Sequence, residues 1–591
     1  MSEYSYNAEE FRLDENDGKN ESKDIPPSSE ISTSRKHSVD YFTKDGIILR
    51  TGYSNIRDRY LLPIREGLDN GIDFLWKYYR GKSGSIEVDI YKNDELVRIR
   101  IRNSNPEDIP VFEDLDAIFD YSMRYGSKQD VHIITRGMLG DAMKQTLSLG
   151  YILMHVNDDG TEFGDKQWEY PLIIRHNREE CKIYLHYDKA KQEPRLSYEI
   201  GFEFENRDFT GTEIEIVLPI VDQVRNTLDR AYIEKLCKEY AILTTDISFK
   251  FSILDESTGD HSSNRSCDIS TELTTVLLAA SQRGKVNIDI PALSSIATSK
   301  EWNNADSIHS YSPAEFTSRI TNVHHKQKTI VYDVLRSFRE GTNIKKNIKT
   351  EKSIADLVSN SNMYTEIKGL YKELKNALPP QKNLSIPYTA NRKDRVKTLV
   401  TRVAELYRID KDKDPSYRIE LGYYDDGIVK YPFAFEILGI PLANPKEDKT
   451  KFIGAINYSI SPNNIRFEGE YHTNGQIDKN MDELLRTFGF HKHSAKKSRL
   501  PCVIIGNLIT PRRDPHGYDK SLLDTKPFAL TIITAIKKMA YDIPTLRAAG
   551  YIMRSKDDDY RSARQKKINR KISAKDLLRR FLVTERGLPD V

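Results

Sequence analysis

Glu66-Gly67-Leu68-Asp69-Asn70-Gly71-Ile72-Asp73 is the stretch on which the fold of this chain turns. Around it, Tyr60, Leu61, Ile64, Leu68, Ile72 and Leu75 recur every three to four residues, which predicts a helix over residues 57–80. On that helix Glu66, Asn70 and Asp73 stand at i, i+4 and i+7, along one face. Two acids and an amide make a poor core face, because they would be buried together without a counter-ion. Two readings are open. One is a solvated polar face, which is how short acidic patterns read when nothing else accompanies them. The other is a site for a divalent cation and a water: Asn and Asp oxygens suit Mg²⁺, and a nearby Glu can polarise a water for attack on a phosphate.

Composition sets the wider frame. A chain of 591 residues with 38% hydrophobic, 30% charged and 10% aromatic residues suits three to four globular domains. Lys and Arg number 90 against 88 Asp and Glu, so the net charge of +2 says nothing for or against nucleic acid. Residues 1–38 are acidic and rich in Ser, Asn and Pro without apolar periodicity, and read as a disordered tail. Cys181, Cys237, Cys267 and Cys502 form no CxxC pair and no short His/Cys spacing. A zinc motif and a disulfide framework are therefore not expected, and a reducing cytoplasm is. There is no signal-peptide pattern and no apolar run long enough for a membrane span, so no membrane association is expected.

After the first helix, Ser85–Tyr91 and Leu96–Arg102 alternate apolar and polar residues and read as an antiparallel pair turning at Lys92-Asn93-Asp94-Glu95. Arg136–Gly150 reads as a loop running into a helix. Tyr170–His176, Cys181–Tyr187, Arg195–Glu205 and Thr212–Pro219 read as strands. The order predicts an α+β layer with helices on one face of a mixed sheet. Three further pieces fit a nucleotide: Tyr125-Gly126-Ser127-Lys128, the Arg136–Lys144 segment with Gly137 and Gly140 ahead of a helix, and Gly211-Thr212 opening a strand. A glycine loop feeding a helix N-terminus presents N–H groups and a positive dipole end to phosphates. Each piece alone also reads as an ordinary loop cap or turn.

Taken in order, E-x-x-D-N-x-x-D, a hairpin, YGSK, RGxxG and GT resemble the GHKL ATPases over about residues 50–250, and most closely the topoisomerase VI B-subunit family. The resemblance implies an ATP-binding α/β sandwich of the Bergerat type. It makes Glu66 the general base, Asn70 the Mg²⁺ ligand and Asp73 a support for that site. Ser127, Lys128, Arg136, Gly137, Gly140, Asp141, Ala142, Met143 and Lys144 would line the lid and phosphate loop, and Thr212 would close the pocket. The family places an Asp-x-Gly-x-Gly after the second hairpin strand. Here its Asp position is Asn103, both glycines are absent, and the third phosphate-loop glycine is Ala142. Asn103 can still accept a hydrogen bond from adenine, though a neutral acceptor is weaker than a charged one.

Residues 270–380 read as helical, with Ser312 as N-cap and Pro313 in the first position of one helix. His324 and His325, with Lys326 and Lys328, suit either a solvated face or DNA. Asp394–Leu406 reads as a helix. Tyr417–Leu421, Phe433–Ile440, Lys451–Ser459 and Pro501–Ile509 read as strands, and Pro527–Ala540 as a long helix. This order resembles the family's transducer domain. There a turn carries a Lys to the γ-phosphate and a second Lys follows, and the matching positions are Arg512 and Lys520. A phosphate-sensing cation on a second domain is a direct way to couple hydrolysis to domain rotation. The basic stretches at 491–499 and Tyr560–Arg580 suit phosphate backbone, a partner groove or solvent.

The expected organisation is a tail (1–38), a GHKL ATPase domain (39–255), a helical middle domain (256–385), a transducer-like domain (386–555) and a basic C-terminal segment (556–591). The expected activity is an ATP-gated, Mg²⁺-dependent homodimeric clamp on DNA, with strand cutting left to an A-type cleavage subunit or another nuclease partner. A GHKL ATPase of a prokaryotic defence or DNA-remodelling system, and a weakly hydrolysing or non-hydrolysing scaffold for a nuclease, are the alternatives.

Overall fold

Alternation of apolar and charged residues builds the larger of two sheets. The structure, a computed structural model, describes residues 40–51, 55–78, 84–104, 118–121, 132–136, 142–155, 170–176, 179–188, 193–202, 211–221, 230–255, 285–290, 306–322, 330–345, 350–382, 384, 386, 392–410, 413–443, 450–460, 481–490, 500–512 and 526–548. Eight strands run in the order β5-β4-β3-β6-β2-β1-β7-β8. They are β1 (Gly84–Lys92), β2 (Leu96–Ser104), β3 (Leu172–His176), β4 (Glu179–Asp188), β5 (Glu193–Phe202), β6 (Gly211–Pro219), β7 (Ile247–Asp255) and β8 (Lys285–Ile290). β1 and β7 are parallel and the other pairs antiparallel, so the sheet is mixed. The α+β class expected from the sequence is what the chain adopts. The boundaries of β1 to β6 agree with the sequence pattern to within a few residues, whereas β7 has no counterpart in that pattern and β8 lies inside the stretch read as helical.

The register separates the two faces. Rows such as Val88, Ile101, Ile214 and Ile174 lie side by side and point inward. The outer face carries Arg98, Arg100, Arg102 and Arg175 interleaved with Asp89, Glu213 and Glu215. Among the described residues, the helices that pack on this sheet cover its apolar face, as befits a sheet with one polar side. These are α1 (Leu62–Tyr78), α2 (Ala142–His155) and α3 (Arg230–Leu243), packed against β2, β6 and β7 respectively. α1 lies unusually close to the sheet. A Cβ at Gly67 would stand 2.3 Å from Ile101 Cδ1, and one at Gly71 would stand 3.3 Å from Ile86 Cδ1. The two glycines, one turn apart, are what let the helix settle there.

A small helical unit has its own core of Ile308, Phe316, Phe338, Ile367 and Leu374. It includes α4 (Pro313–Asn322) and α5 (Met363–Ala377). Ser312 Oγ accepts from Glu315 N at 3.3 Å and Glu315 Oε2 accepts from Ser312 N at 2.7 Å, a reciprocal capping box that starts α4 where the sequence predicts.

The second sheet runs β12-β11-β13-β10-β9. Its strands are β9 (Ser416–Asp425), β10 (Lys430–Pro441), β11 (Lys451–Ile456), β12 (Ser459–Ile460) and β13 (Cys502–Ile509). The strand expected over Lys451–Ser459 is therefore two strands folded back at Asn457 and Tyr458. One face packs on α7 (Ala529–Asp542). The other face shares a continuous core with the first sheet, through α6 (Arg392–Ala404) and α3. Sequential elements thus form two sheets joined by one interior.

Among the described residues, no helix is long and apolar enough to cross a membrane.

Candidate active site

Among the described residues between β1 and β3, the inner face of the first sheet is apolar along its middle, with the buried Lys92 at one end and a run of polar groups at the other. There Asn103 on β2 stands opposite Thr212 on β6, and Thr212 stands opposite His176 on β3. His176 Nδ1 lies 3.2 Å from Thr212 Oγ1. This polar row adjoins α1 at Gly71, where an added Cβ would lie 3.6 Å from Asn103 Cβ. Asn70, next to Gly71, is half-buried, whereas Glu66 one turn back is only 3% exposed. Asn70, Asn103 and Thr212 therefore gather at one end of the helix–sheet layer, with Glu66 one turn back along α1. His176 was missed, and no motif marks it; only the strand register brings it into the row.

Asp73 serves the site indirectly. Its carboxylate accepts from Thr135 Oγ1 at 2.6 Å and from Arg136 N at 3.0 and 3.1 Å. It pins the backbone that leads into the glycine loop. The Arg136 side chain is turned into the interior, fully buried, with its guanidinium 4.2 Å from the centre of the Trp76 ring and Nη2 donating to Tyr458 O at 3.1 Å. The resemblance implies a phosphate-loop position for this residue; here its guanidinium is packed against Trp76 and Tyr458. Lys144 is likewise fully buried within α2, while Met143 is half-buried against the first core and Ala142 begins the helix. Ser127, Lys128, Gly137, Gly140, Asp141 and Lys520 lie outside the described residues, as do residues 1–39, 323–329, 491–499 and 549–591.

The acidic face of α1 does have counter-ions, contrary to the expectation from the octet alone. Asp69 lies 3.9 Å from Arg65 and 3.7 Å from Arg136, and it accepts from Ser459 Oγ at 2.7 Å. Burial pushes its carboxyl up to about 6 even with both guanidinium groups nearby. Trp76 Nε1 donates to Asp246 Oδ2 at 3.0 Å, closing the far side of this cluster. The face is neither solvated nor empty. Its Asp69–Trp76 edge meets the second sheet, and its Glu66–Asn70 edge adjoins the polar row.

Arg512, expected as a phosphate sensor, is engaged elsewhere. Its guanidinium pairs with Glu315 of α4 at 2.8 Å and donates to Ser310 O at 3.2 Å, both in the helical unit. His132 sits at the same junction, its ring 4.1 Å from that of Tyr311. Burial pushes its imidazole down to about 3, and Arg512 and Arg319 add to the effect. Above pH 6.5, the ordinary histidine value, His132 is neutral in both folded and unfolded chains and carries no penalty. Below it the unfolded chain takes up a proton that the folded chain refuses. Stability attributable to His132 should then fall by about 1.4 kcal/mol per pH unit until the folded value is reached. Urea unfolding of the native protein and of His132→Phe, which keeps the ring contact, should show a shallower acid loss in the variant. Identical profiles would remove His132 from the account.

A scan against protein-family models finds no match, and a search of curated proteins finds none. Among solved structures the chain is similar to the N-terminal domain of a DNA repair protein, at 9% identity, covering 81% of this chain and 92% of that one, with a TM-score of 0.35. It is also similar to the 43K ATPase domain of Thermus thermophilus gyrase B, at 10% identity, 86% and 92% coverage and a TM-score of 0.28. The ATPase region of Saccharomyces cerevisiae topoisomerase II matches at 10% identity, 82% and 83% coverage and a TM-score of 0.31. Superpositions this loose carry no functional argument, so the chemistry has to come from the residues.

Proposed function

We propose that this chain is a Mg²⁺-dependent ATPase of the GHKL type, acting as a nucleotide-gated dimeric clamp on DNA beside a separate A-type cleavage subunit. One observation carries the reading: a row of three polar side chains on the inner face of the first sheet, Asn103–Thr212–His176, lies beside the helix that carries Glu66 and Asn70. An adenine ring needs a flat apolar floor ending in a few fixed hydrogen-bonding groups, and this corner supplies both. Asn103 and Thr212 would hold the base.

Among the described residues no three His, Cys, Asp or Glu side chains are grouped to hold a metal by themselves. The cation would be held by one protein oxygen, that of Asn70, with nucleotide phosphates and waters completing its shell. Bound there, Mg²⁺ supplies charge neutralisation on the phosphates. Glu66 would take a proton from water, a role that its burial beside a half-buried amide supports by limiting competing solvent contacts. Asp73, through Thr135 and Arg136 N, fixes where the glycine loop begins.

The test is ATP turnover and self-association by the native protein. Hydrolysis that stops on chelation of Mg²⁺, together with conversion of monomer to dimer by a non-hydrolysable ATP analogue in light scattering, is the expected result. A chain that neither binds nor hydrolyses ATP, with or without DNA, would end the proposal. Relaxation of supercoiled DNA with the candidate cleavage subunit, ATP present or absent, then separates a topoisomerase role from clamping alone.

A further inference from the structure

We propose that the β11–β12 turn is the joint through which the nucleotide site moves the second sheet, with Asn457 as its positioning residue. This rests on the nucleotide reading above. Asn457 Nδ2 donates both to Thr135 O at 3.1 Å and to Thr510 O at 2.9 Å, while its Oδ1 accepts from Thr510 N at 2.9 Å. One amide therefore clamps the peptide at the end of β13 and holds the segment that precedes the glycine loop. The next two residues reach the same side. Tyr458 O accepts from Arg136 Nη2 at 3.1 Å, and Ser459 Oγ donates to Asp69 at 2.7 Å. Three consecutive residues of the second sheet thus bond to Thr135, Arg136 and Asp69 of the first domain.

The backbone gives a second, independent sign. Asn457 and Tyr458 have φ of 50° and 67°, both left-handed. Asparagine is common at the first position of such a two-residue hairpin turn, but glycine is usual at the second. A bulky Tyr there is strained and persists only where the surroundings over-determine it. They do: Tyr458 is fully buried, its N–H donates to Asn507 Oδ1 at 3.0 Å, and its ring meets Trp76 edge-on at 5.4 Å. Beyond the clamp, Thr510 Oγ1 donates to Arg512 O at 2.7 Å, and Arg512 reaches Glu315 of the helical unit. Thr135, Asn457, Thr510, Arg512 and Glu315 form one bonded path from the core shared by the two sheets to that of the helical unit. A close-packed interior transmits small shifts along such a path instead of absorbing them.

Hydrogen–deuterium exchange with and without Mg²⁺ and a non-hydrolysable ATP analogue tests this. In the native protein, nucleotide should protect residues 62–78 and also change exchange across residues 502–512. Asn457→Asp keeps the shape and the acceptor for Thr510 N but loses both donated bonds. Asn457→Gly keeps the left-handed backbone without the amide, and serves if the buried carboxylate prevents folding. In either variant the protection of 62–78 should persist while the response of 502–512 falls about tenfold. A variant that responds at 502–512 as the native chain does overturns the proposal. So does one that loses both responses, which marks a merely structural role. A native chain with protection at 62–78 and no response at 502–512 overturns this inference alone. A native chain with neither overturns the ATPase reading as well.

Discussion

Replacing Glu66 with glutamine is expected to lower ATP turnover about a thousandfold, in the range that removal of a positioned general base produces. Nucleotide binding should be nearly unchanged. Glutamine has the same length and volume, so the closely seated helix around Gly67 and Gly71 is undisturbed. What it lacks is an oxygen able to take a proton from water. The effect should therefore appear in kcat and not in KM, as expected for a group that acts only in the transition state. Steady-state and single-turnover hydrolysis, paired with binding of a fluorescent ATP analogue, measure the two separately. Near-native turnover in the variant would remove Glu66 from the chemistry. Lost binding would show that it holds the pocket instead.

Truncating Glu436 to alanine is expected to cost about 3–5 kcal/mol of stability, a large share of the 5–15 typical of a domain. Its carboxylate is buried where the two sheets share their core. It accepts from Arg395 at 3.0 and 3.3 Å, from Tyr417 OH at 2.7 Å and from Asn507 Nδ2 at 3.2 Å. Arg395 also donates to Leu243 O at 3.2 Å, so the pair ties β10 to the end of α3. Burial opposes ionisation of Glu436, but Arg395 and the three kinds of hydrogen bond outweigh it and hold the group below its ordinary range. Its contribution is then present above pH 4.5, the ordinary glutamate value, and is lost as pH falls below that through the folded value. The alanine variant leaves a buried guanidinium without its anion, which is the costly event. Removing both charges together, as Arg395→Met with Glu436→Leu, should recover most of the loss, because a buried pair is roughly matched by apolar groups of similar volume. Thermal unfolding of the two single variants and the double variant decides the matter. A double variant as unstable as the sum of the singles would rule out the pairing account.

Both expectations draw on side chains that local pattern reveals unequally. Glu66, Asn70 and Asp73 stand out because helical spacing is a local property, and the helix over Leu62–Tyr78 follows from apolar residues every three to four positions. Thr212 was legible as a strand residue and Asn103 as the residue just past one; the strand in fact runs on to Ser104, and the register sets the two opposite each other. Glu436, in contrast, reads in the sequence as one polar residue in an apolar strand. Its partners are 19, 41 and 71 residues away, at distances no periodicity encodes. Arg136 read as part of a phosphate loop because Arg-Gly-x-x-Gly says nothing about which way a side chain turns. Its rotation inward depends on Trp76 and Tyr458, brought together only by folding.

By itself the sequence determined the α+β class, the helix of Glu66 and Asn70, the hairpin beside it and the capping box of α4. Each arises from spacing of two to four residues, where neighbouring side chains share a face or a turn. The tertiary structure alone decided what the Glu66–Asp73 helix faces. Ser459 meets Asp69 across 390 residues of chain, through a left-handed turn where alternation predicted a continuous strand. β8 joined the first sheet from within a stretch that read as helical, and Arg512 found Glu315 of the helical unit. Such pairings follow from how separate elements close on a common core, and burial then selects the few polar groups able to satisfy one another there.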